Sequence, residues 1–252
     1  MTTPRLVAFD LDDTLAPSKS PLDPRMLETF AALLATVPVA VISGGNFQQF
    51  EQQLVLPLRE RAGLVLDDLH LLPTCGTAYY RWSGSDWALQ YAEDLTDDEK
   101  ARALAAVESQ AKEAGYWESE TWGEILEDRG SQITFSALGQ SAPVDVKKRW
   151  DPTGEKKDHL RRLVQAELPD LEVRSGGSTS VDITRKGIDK AYGMRRLAEL
   201  TGIALDDMLF VGDRLDPEGN DYPVKALGVP CHAVEGWEDT DAFLTDLIPT
   251  LR

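Results

Sequence analysis

The most restrictive feature of this chain is a short, wholly apolar run, Leu6–Phe9, that stops on a cluster of carboxylates, Asp10-Leu11-Asp12-Asp13-Thr14-Leu15. A four-residue run with no polar position reads as a strand buried on both faces, and such strands belong to parallel sheets with helices on either side. The next segments keep that rhythm. Asp23-Pro24 predicts a helix start with proline in the first turn, and Met26, Leu27, Phe30, Leu33 and Leu34 give an apolar stripe at helical spacing. Val37–Ile42 reads as a second buried strand, stopped by Ser43-Gly44-Gly45 and followed by a helix over about Phe47–Leu56.

Beyond Leu69–Leu72 the character changes. Tyr79–Trp82 and Trp87–Tyr91 alternate like hairpin arms around Ser83-Gly84-Ser85. Thr96-Asp97-Asp98-Glu99 is a capping box ahead of a long Ala-rich helix that Gly115 is placed to end. Gln132–Ala137 reads as a half-exposed strand, Lys156–Glu167 as a helix, and Val173 and Val181–Thr184 as strands. From Asp189 the α/β rhythm returns, with a helix to Leu200, a buried strand Met208–Val211, and apolar runs at Pro230–Val234 and Ala242–Ile248. The expected fold is α/β: a doubly wound, Rossmann-like parallel-sheet core from residues 1–83 and 188–252, with an inserted α+β cap at 84–187.

Composition narrows the partners. Lys and Arg number 26 against 43 Asp and Glu, a net charge of −17. No basic stripe is available for nucleic acid or an anionic membrane. A phosphorylated substrate would be repelled by the global field, so positive charge must be concentrated locally, by a metal and a few Lys or Arg. Cys75 and Cys231 lie far apart with no metal-ligand spacing and read as reduced packing residues. No apolar h-region opens the chain and no apolar run reaches the ~18 residues of a membrane span, so a cytoplasmic protein is expected.

Asp10 and Asp12 follow a buried strand, where open α/β sheets bind ligands. Two carboxylates on alternate residues repel unless a cation or shared proton relieves them, and Mg²⁺, a hard cation with oxygen ligands, suits phosphate chemistry. Such a carboxylate is a competent nucleophile at phosphorus, and its neighbour can act as general acid and then base. Ser43 and Gly44 sit at a strand-to-helix turn, where backbone amides attract anions. Lys190 offers a point charge to a phosphate and to Asp10. Asp213, just past the Met208–Val211 strand, is the second strand-end carboxylate. Asp221 reads as a further metal ligand or an outer partner. Arg214 and Asp216 read equally well as loop residues.

The hexapeptide Asp10–Leu15 resembles the first motif of the haloacid dehalogenase-like (HAD) phosphatase superfamily. Ile42-Ser43-Gly44 resembles its second motif, Lys190 after Lys186-Gly187-Ile188-Asp189 its third, and Val211-Gly212-Asp213 with Asn220-Asp221 its acidic fourth. Ser43–Phe47 with Glu51-Gln52-Gln53-Leu54, and Gly176-Gly177-Ser178-Thr179-Ser180-Val181-Asp182, are similar to segments of the eukaryotic-type phosphomannomutases, in subfamily IIB with a type C2 cap. The resemblance implies an aspartyl-phosphate on Asp10, acid/base work by Asp12, and phosphate binding by Ser43, Gly44 and Lys190. It implies a metal site of Asp10, Asp12 (through its backbone), Asp213 and Asp221. It also implies cap contacts to a hexose phosphate from Arg129, Gln140, Ser180 and Asp182, and a homodimer through the cap.

Two departures stand out. Gln140 falls where the mutases use an arginine on the distal phosphate, and a neutral amide lacks the bidentate, charge-assisted grip of a guanidinium. Asp13 stands where they usually have glycine. The sequence therefore favours a Mg²⁺-dependent phosphatase acting on a small sugar phosphate, with a phosphomannomutase as the close alternative. A catalytically silent sugar-phosphate-binding protein is the second alternative, opposed by the intact Asp10, Asp12, Lys190 and Asp213.

Overall fold

A computed structural model describes residues 3–61, 63–176 and 179–251. They divide into two compact units, one built from both ends of the chain (Met1–Ala92 and Ile188–Arg252), the other from Glu93–Gly187.

The first unit opens with β1 (Leu6–Phe9), α1 (Pro24–Leu34) and β2 (Val39–Ile42). Asp23 caps α1 by accepting from the Arg25 amide at 2.8 Å, with Pro24 in the first turn. A helical stretch follows as α2 (Phe47–Phe50), a π-helical segment (Glu51–Val55) and α3 (Leu56–Glu60). Then come β3 (Leu69–Leu72), β4 (Ala78–Trp82) and β5 (Trp87–Ala92). In the second unit lie α4 (Asp97–Glu113), β6 (Leu126–Asp128), β7 (Gln132–Ser136), α5 (Val144–Trp150), α6 (Glu155–Glu167), β8 (Leu171–Ser175) and β9 (Ser180–Arg185). The chain returns through α7 (Lys190–Thr201), β10 (Met208–Gly212), α8 (Tyr222–Ala226), β11 (Cys231–Ala233) and α9 (Trp237–Leu247).

The large sheet has the order β11-β10-β1-β2-β3-β4-β5. Its first five strands are parallel, and β4 and β5 add an antiparallel edge. The expected parallel core is thus present. Val7, Phe9, Val39, Val41, Leu69 and Leu71 feed a cluster shared with α1 and α9. Leu6, Ala8, Ala40, Ile42 and Leu72 feed a second, shared with α7 and α8. Both faces of the central strands are buried, which is why their sequences carry no polar alternation. The unit boundary lies at Ala92, later than the 84 read from sequence. The hairpin runs as expected, but β4 pairs with β3, so both arms extend the large sheet.

The smaller unit is an antiparallel sheet of order β6-β7-β9-β8. Ile133, Phe135, Val181 and Ile183 point to a core with Ala103 and Val107 of α4 and Leu160 and Val164 of α6. The Thr96–Glu99 capping box forms in full, and Glu99 also pairs with Arg185 at 2.7 Å. Among the described residues no helix is long and apolar enough to cross a membrane. Both cysteines are free thiols.

Candidate active site

Asp10 is delivered by β1 at the carboxyl end of the sheet. Its amide donates to the Val211 carbonyl at 3.0 Å, so the β1–β10 ladder runs one residue past the strand and brings Asp10 and Asp213 to neighbouring strand ends. The chain then turns back sharply, with Leu15 and Ala16 amides on the Leu11 carbonyl and Asp13 in a left-handed conformation at φ 59°. That conformation favours glycine, with Asp among the few side chains that tolerate it. Asp13 gains a local bond in return, accepting from the Ser18 amide at 3.1 Å.

Lys190 is the first residue of α7, behind an Asp189 cap that accepts from the Tyr192 amide at 2.9 Å. Its Nζ lies 2.6 Å from Asp10 Oδ1 and 2.5 Å from Asp221 Oδ1, and all three residues are buried. Asp221 Oδ2 accepts from the Arg214 amide at 3.1 Å. It lies so close over Gly212 that a Cβ there would come within 2.4 Å of it. Asp213 is anchored from the other side: its amide donates to Thr14 Oγ1 at 3.1 Å, and the Thr14 carbonyl accepts from Thr240 Oγ1 at 2.7 Å.

The electrostatics are those of a buried, over-acidic cluster. Burial pushes Asp10 well above the usual carboxylate range; Lys190 opposes this, while Asp221 and Asp213 reinforce it. Burial also raises Asp213, with Asp221 adding to the effect. Burial alone would lower Lys190, but Asp10 and Asp221 hold it above the usual lysine value.

Asp10, Asp213 and Asp221 each offer a carboxylate oxygen, all within 4.8 Å of one another. Three carboxylates against one ammonium leave an uncompensated negative charge, and an all-oxygen donor set suits a hard divalent cation. The residues therefore fit the metal that the sequence implied.

The Ser43-Gly44-Gly45 turn, expected from sequence to bind phosphate, lies at the end of β2. Ser43 is buried, and its Oγ accepts from the Gly45 amide at 3.3 Å. The backbone of a second turn braces it: the Thr74 amide donates to the Gly45 carbonyl and the Cys75 amide to the Ser43 carbonyl, both at 2.9 Å. Thr74, Cys75 and Gly76 are all left-handed. This turn meets α7 at Gly193, where a Cβ would lie 2.8 Å from the Cys75 carbonyl oxygen. Bare backbone at both points seats the helix that carries Lys190. The sequence saw only a turn in Thr74–Thr77.

The Asp12 carboxylate does not join Asp10, Asp213 and Asp221. It is held by Gln49 Nε2 at 2.8 Å, Gln53 Nε2 at 3.1 Å and the Lys19 amide at 2.8 Å. The Asp12 side chain is therefore engaged away from these three carboxylates. Arg214 and Asp216 pair with each other at 3.0 Å in the loop between Asp213 and Asp221. That loop closes over Gly219, where a Cβ would lie 1.9 Å from the Arg214 carbonyl oxygen.

In the smaller unit, one sheet face is polar. Thr134 is in register with Asp182 and Ser136 with Ser180. Thr134 Oγ1 donates to Asp182 Oδ1 at 2.8 Å. Burial raises Asp182 above the usual carboxylate value, and Arg129 opposes the shift. Arg129 is paired with Glu127 at 2.7 Å and reaches Gln140 Oε1 at 3.4 Å. Buried Lys147 donates to the Gln140 carbonyl at 2.9 Å. The face therefore carries Ser180 and Asp182, and Arg129 contacts Gln140 at its edge. Gly177 and Ser178, quoted in the sequence resemblance, lie outside the described residues.

Sequence reasoning missed Thr14, Thr240, Gln49, Gln53, Thr134 and the inward turn of Lys147. Thr14 stood inside the quoted Asp10–Leu15 hexapeptide, and Gln49 and Gln53 form a polar pair one helical turn apart just after Ser43-Gly44-Gly45; the others left no signal.

The sequence profile of the eukaryotic phosphomannomutases matches residues 26–250. A probable phosphomannomutase of Caenorhabditis elegans is 24% identical over 274 residues, covering all of both chains. The Saccharomyces cerevisiae phosphomannomutase is 26% identical over 253 residues, covering 96% of this chain and 93% of its own. Among solved structures, a C-terminally truncated IMP-nucleotidase of Plasmodium falciparum superposes with a TM-score of 0.73 at 15% identity, covering 99% of this chain and 72% of that one. A haloacid dehalogenase-like hydrolase of Bacteroides thetaiotaomicron gives 0.63 at 16% identity, covering 97% and 99%.

Proposed function

We propose that this chain, which belongs to the eukaryotic phosphomannomutase family and is a phosphoryl-transfer enzyme on the HAD fold, interconverts hexose 1- and 6-phosphates through a phosphorylated Asp10. The observation that carries the chemistry is the buried Lys190 held between Asp10 and Asp221, with Asp213 beside them. The family favours the mutase over the phosphatase that the sequence put first.

Asp10 attacks phosphorus with the carboxylate oxygen that Lys190 does not hold. The P–O bond to the sugar breaks, and Asp12 gives the departing oxygen a proton. With hexose 1,6-bisphosphate as the donor, a hexose monophosphate is left; the free 1- or 6-hydroxyl of a hexose monophosphate then attacks the aspartyl-phosphate, loses its proton to Asp12, frees Asp10 and re-forms the bisphosphate, whose other phosphate is taken in the next turn. Lys190 and the amides around Ser43 and Gly44 neutralise the transferred oxygens, the positioning and charge balance on which phosphoryl transfer mostly depends. Bound by Asp10, Asp213, Asp221 and the Asp12 backbone, Mg²⁺ would supply the remaining positive charge. Arg129, Gln140, Ser180 and Asp182 are assigned to the non-reacting end of the substrate.

A second reading, a sugar-phosphate phosphatase, is favoured by Gln140, whose neutral amide weakens the hold on a bisphosphate. One incubation separates the two. The protein is mixed with mannose 1-phosphate, Mg²⁺ and a trace of hexose 1,6-bisphosphate, with Asp10→Asn as control. Mannose 6-phosphate with little free phosphate is expected. Free phosphate without the 6-phosphate would overturn the mutase in favour of the phosphatase, and wild-type rates in Asp10→Asn would overturn both.

A further inference from the structure

Asp12 is meant to meet a substrate oxygen, yet it lies two residues beyond Asp10 on a turn exposed to the pull of any cation bound there. Something must fix where its carboxylate points. The strongest unassigned feature of the molecule is the polar knot that does so. Gln49 Nε2 spends one bond on Asp12 Oδ2 at 2.8 Å and one on Gln53 Oε1 at 2.7 Å. Gln53 Nε2 spends one on Asp12 Oδ1 at 3.1 Å and one on the Ser20 carbonyl at 3.0 Å. All four amide protons are used, and each amide's orientation is set by the other.

The backbone is shaped around this pair. Pro57 has no amide proton to give to the carbonyl four residues earlier, that of Gln53, so this carbonyl is free to accept from the Leu22 amide at 2.9 Å. The helix widens to π geometry over Glu51–Val55, which contains Gln53. Such bulges recur at functional sites. Gln53 therefore ties the Asp12–Leu22 loop to the helix with both its side chain and its main chain, and it is buried. Gly45 makes room for the other partner: a Cβ there would lie 2.3 Å from Gln49 Oε1.

We propose that Gln49 and Gln53 are positioning residues that act through Asp12, fixing its carboxylate for proton transfer with the leaving and attacking oxygens. This rests on the acid/base reading of Asp12 given above, but on no particular sugar. A buried glutamine amide retained only for packing would have no reason to aim both its donors at one carboxylate and the loop that bears it.

The test compares two aryl phosphates of nearly the same shape. Phenol is a poor leaving group and needs the proton from Asp12; p-nitrophenol leaves as a stable anion and does not. The release rate of the first equivalent of each phenol, on mixing with holoenzyme in Mg²⁺, reports phosphorylation of Asp10. Gln53→Met is expected to slow phenol release about 10- to 100-fold, a part of the 10²–10⁴ that a whole general acid supplies, and p-nitrophenol release less than about threefold. Gln49→Met, at a half-buried site, should do the same. Gln49→Glu keeps the shape but puts an acceptor beside Asp12, and should be slower still. In an Asp12→Asn background, Gln53→Met should add less than about twofold, because the glutamine has nothing left to position. Equal losses with both leaving groups, or a full additional loss on top of Asp12→Asn, would overturn the proposal. Wild-type protein that releases no burst of p-nitrophenol would instead overturn the phosphoryl-transfer reading beneath it; failure of the sugar assay alone leaves the comparison standing.

Discussion

Lys190→Met is the substitution with the most to say about the site, because the lysine is both the proposed catalytic cation and the buried partner of two carboxylates. Methionine keeps the volume and removes the charge between Asp10 and Asp221, which its Nζ meets at 2.6 and 2.5 Å. Two buried carboxylates, with Asp213 beside them, are then left without their ammonium. Removing one partner of a buried ion pair costs about 3–5 kcal/mol, here near the upper end because one lysine serves two acids. At about 2–4 °C per kcal/mol for a chain of this size, the melting temperature at pH 7 in EDTA should fall by about 8–20 °C. The pH dependence has a defined sign. Asp10 is raised above its ordinary value already, so the folded state holds protons that the unfolded chain has released, and stability from this group falls as pH rises. Losing Lys190 removes the main opposing influence and widens that window upward. The penalty should therefore shrink as pH drops toward 5 and grow toward 8. A divalent cation should recover part of it, about 2.7 kcal/mol at a hundredfold excess over its Kd. Thermal melts of wild type and variant at pH 5, 6, 7 and 8, with and without Mg²⁺, decide the matter. A variant as stable as wild type at pH 7 in EDTA, or one whose deficit grows on acidification, would refute the reasoning.

Three further outcomes follow from the same geometry. Gly193→Ala places a Cβ 2.8 Å from the Cys75 carbonyl oxygen and 3.0 Å from Ile42 Cγ2, so it should cost about 1–3 kcal/mol in a melt and lower turnover by displacing the helix that carries Lys190. Cys75→Asn exchanges a side chain at φ 57° for one that tolerates the left-handed region, and should raise the melting temperature by a few degrees, about 0.5–1 kcal/mol. His70, buried with its Nδ1 2.8 Å from the Tyr79 hydroxyl, is pushed down to about 3 by burial and by Arg81. Below its unfolded value of about 6.5 the unfolded chain takes a proton that the folded one refuses, costing up to about 1.4 kcal/mol per pH unit. His70→Gln should flatten the fall in stability between pH 6.5 and 4.5, seen as a smaller loss in melting temperature than wild type.

The sheet was legible because its strands are buried on both faces: Leu6–Phe9, Val39–Ile42 and Met208–Val211 leave no polar position for a helix or an edge strand to use. Strand ends then located Asp10, Ser43 and Asp213. What stayed hidden is of two kinds. Helix α5 has three basic residues in its last turn and no apolar stripe to announce it, and β6 is only three residues long. The other kind is tertiary. Nothing local says that the Asp12 side chain turns to Gln49 and Gln53, that Thr240 reaches the Thr14 carbonyl, or that the chain from Arg214 to Asp221 folds back so that Asp221 meets Lys190. These bonds join residues far apart in sequence, and a periodicity carries no information about them.

Gln140 shows how much a position read alone leaves out. Taken by itself, glutamine in place of arginine weakens the grip on a distal phosphate and tips the balance toward hydrolysis. In the folded unit, Gln140 accepts from Arg129 through its side chain and from Lys147 through its carbonyl. Lys147 is buried, on the same short helix as the exposed Arg149, which pairs with Asp145 at 2.9 Å. Two cations thus contact the neutral residue, Arg129 at its side chain and Lys147 at its main chain. What is lost is the forked geometry of a second guanidinium, and what remains is the charge. An ammonium such as that of Lys147 is a point charge with less directional demand than a guanidinium. If this face takes the far end of a sugar phosphate, as proposed, the substitution should loosen the orientation of that end more than its retention, read as a larger change in turnover than in KM when Gln140→Arg is compared with wild type.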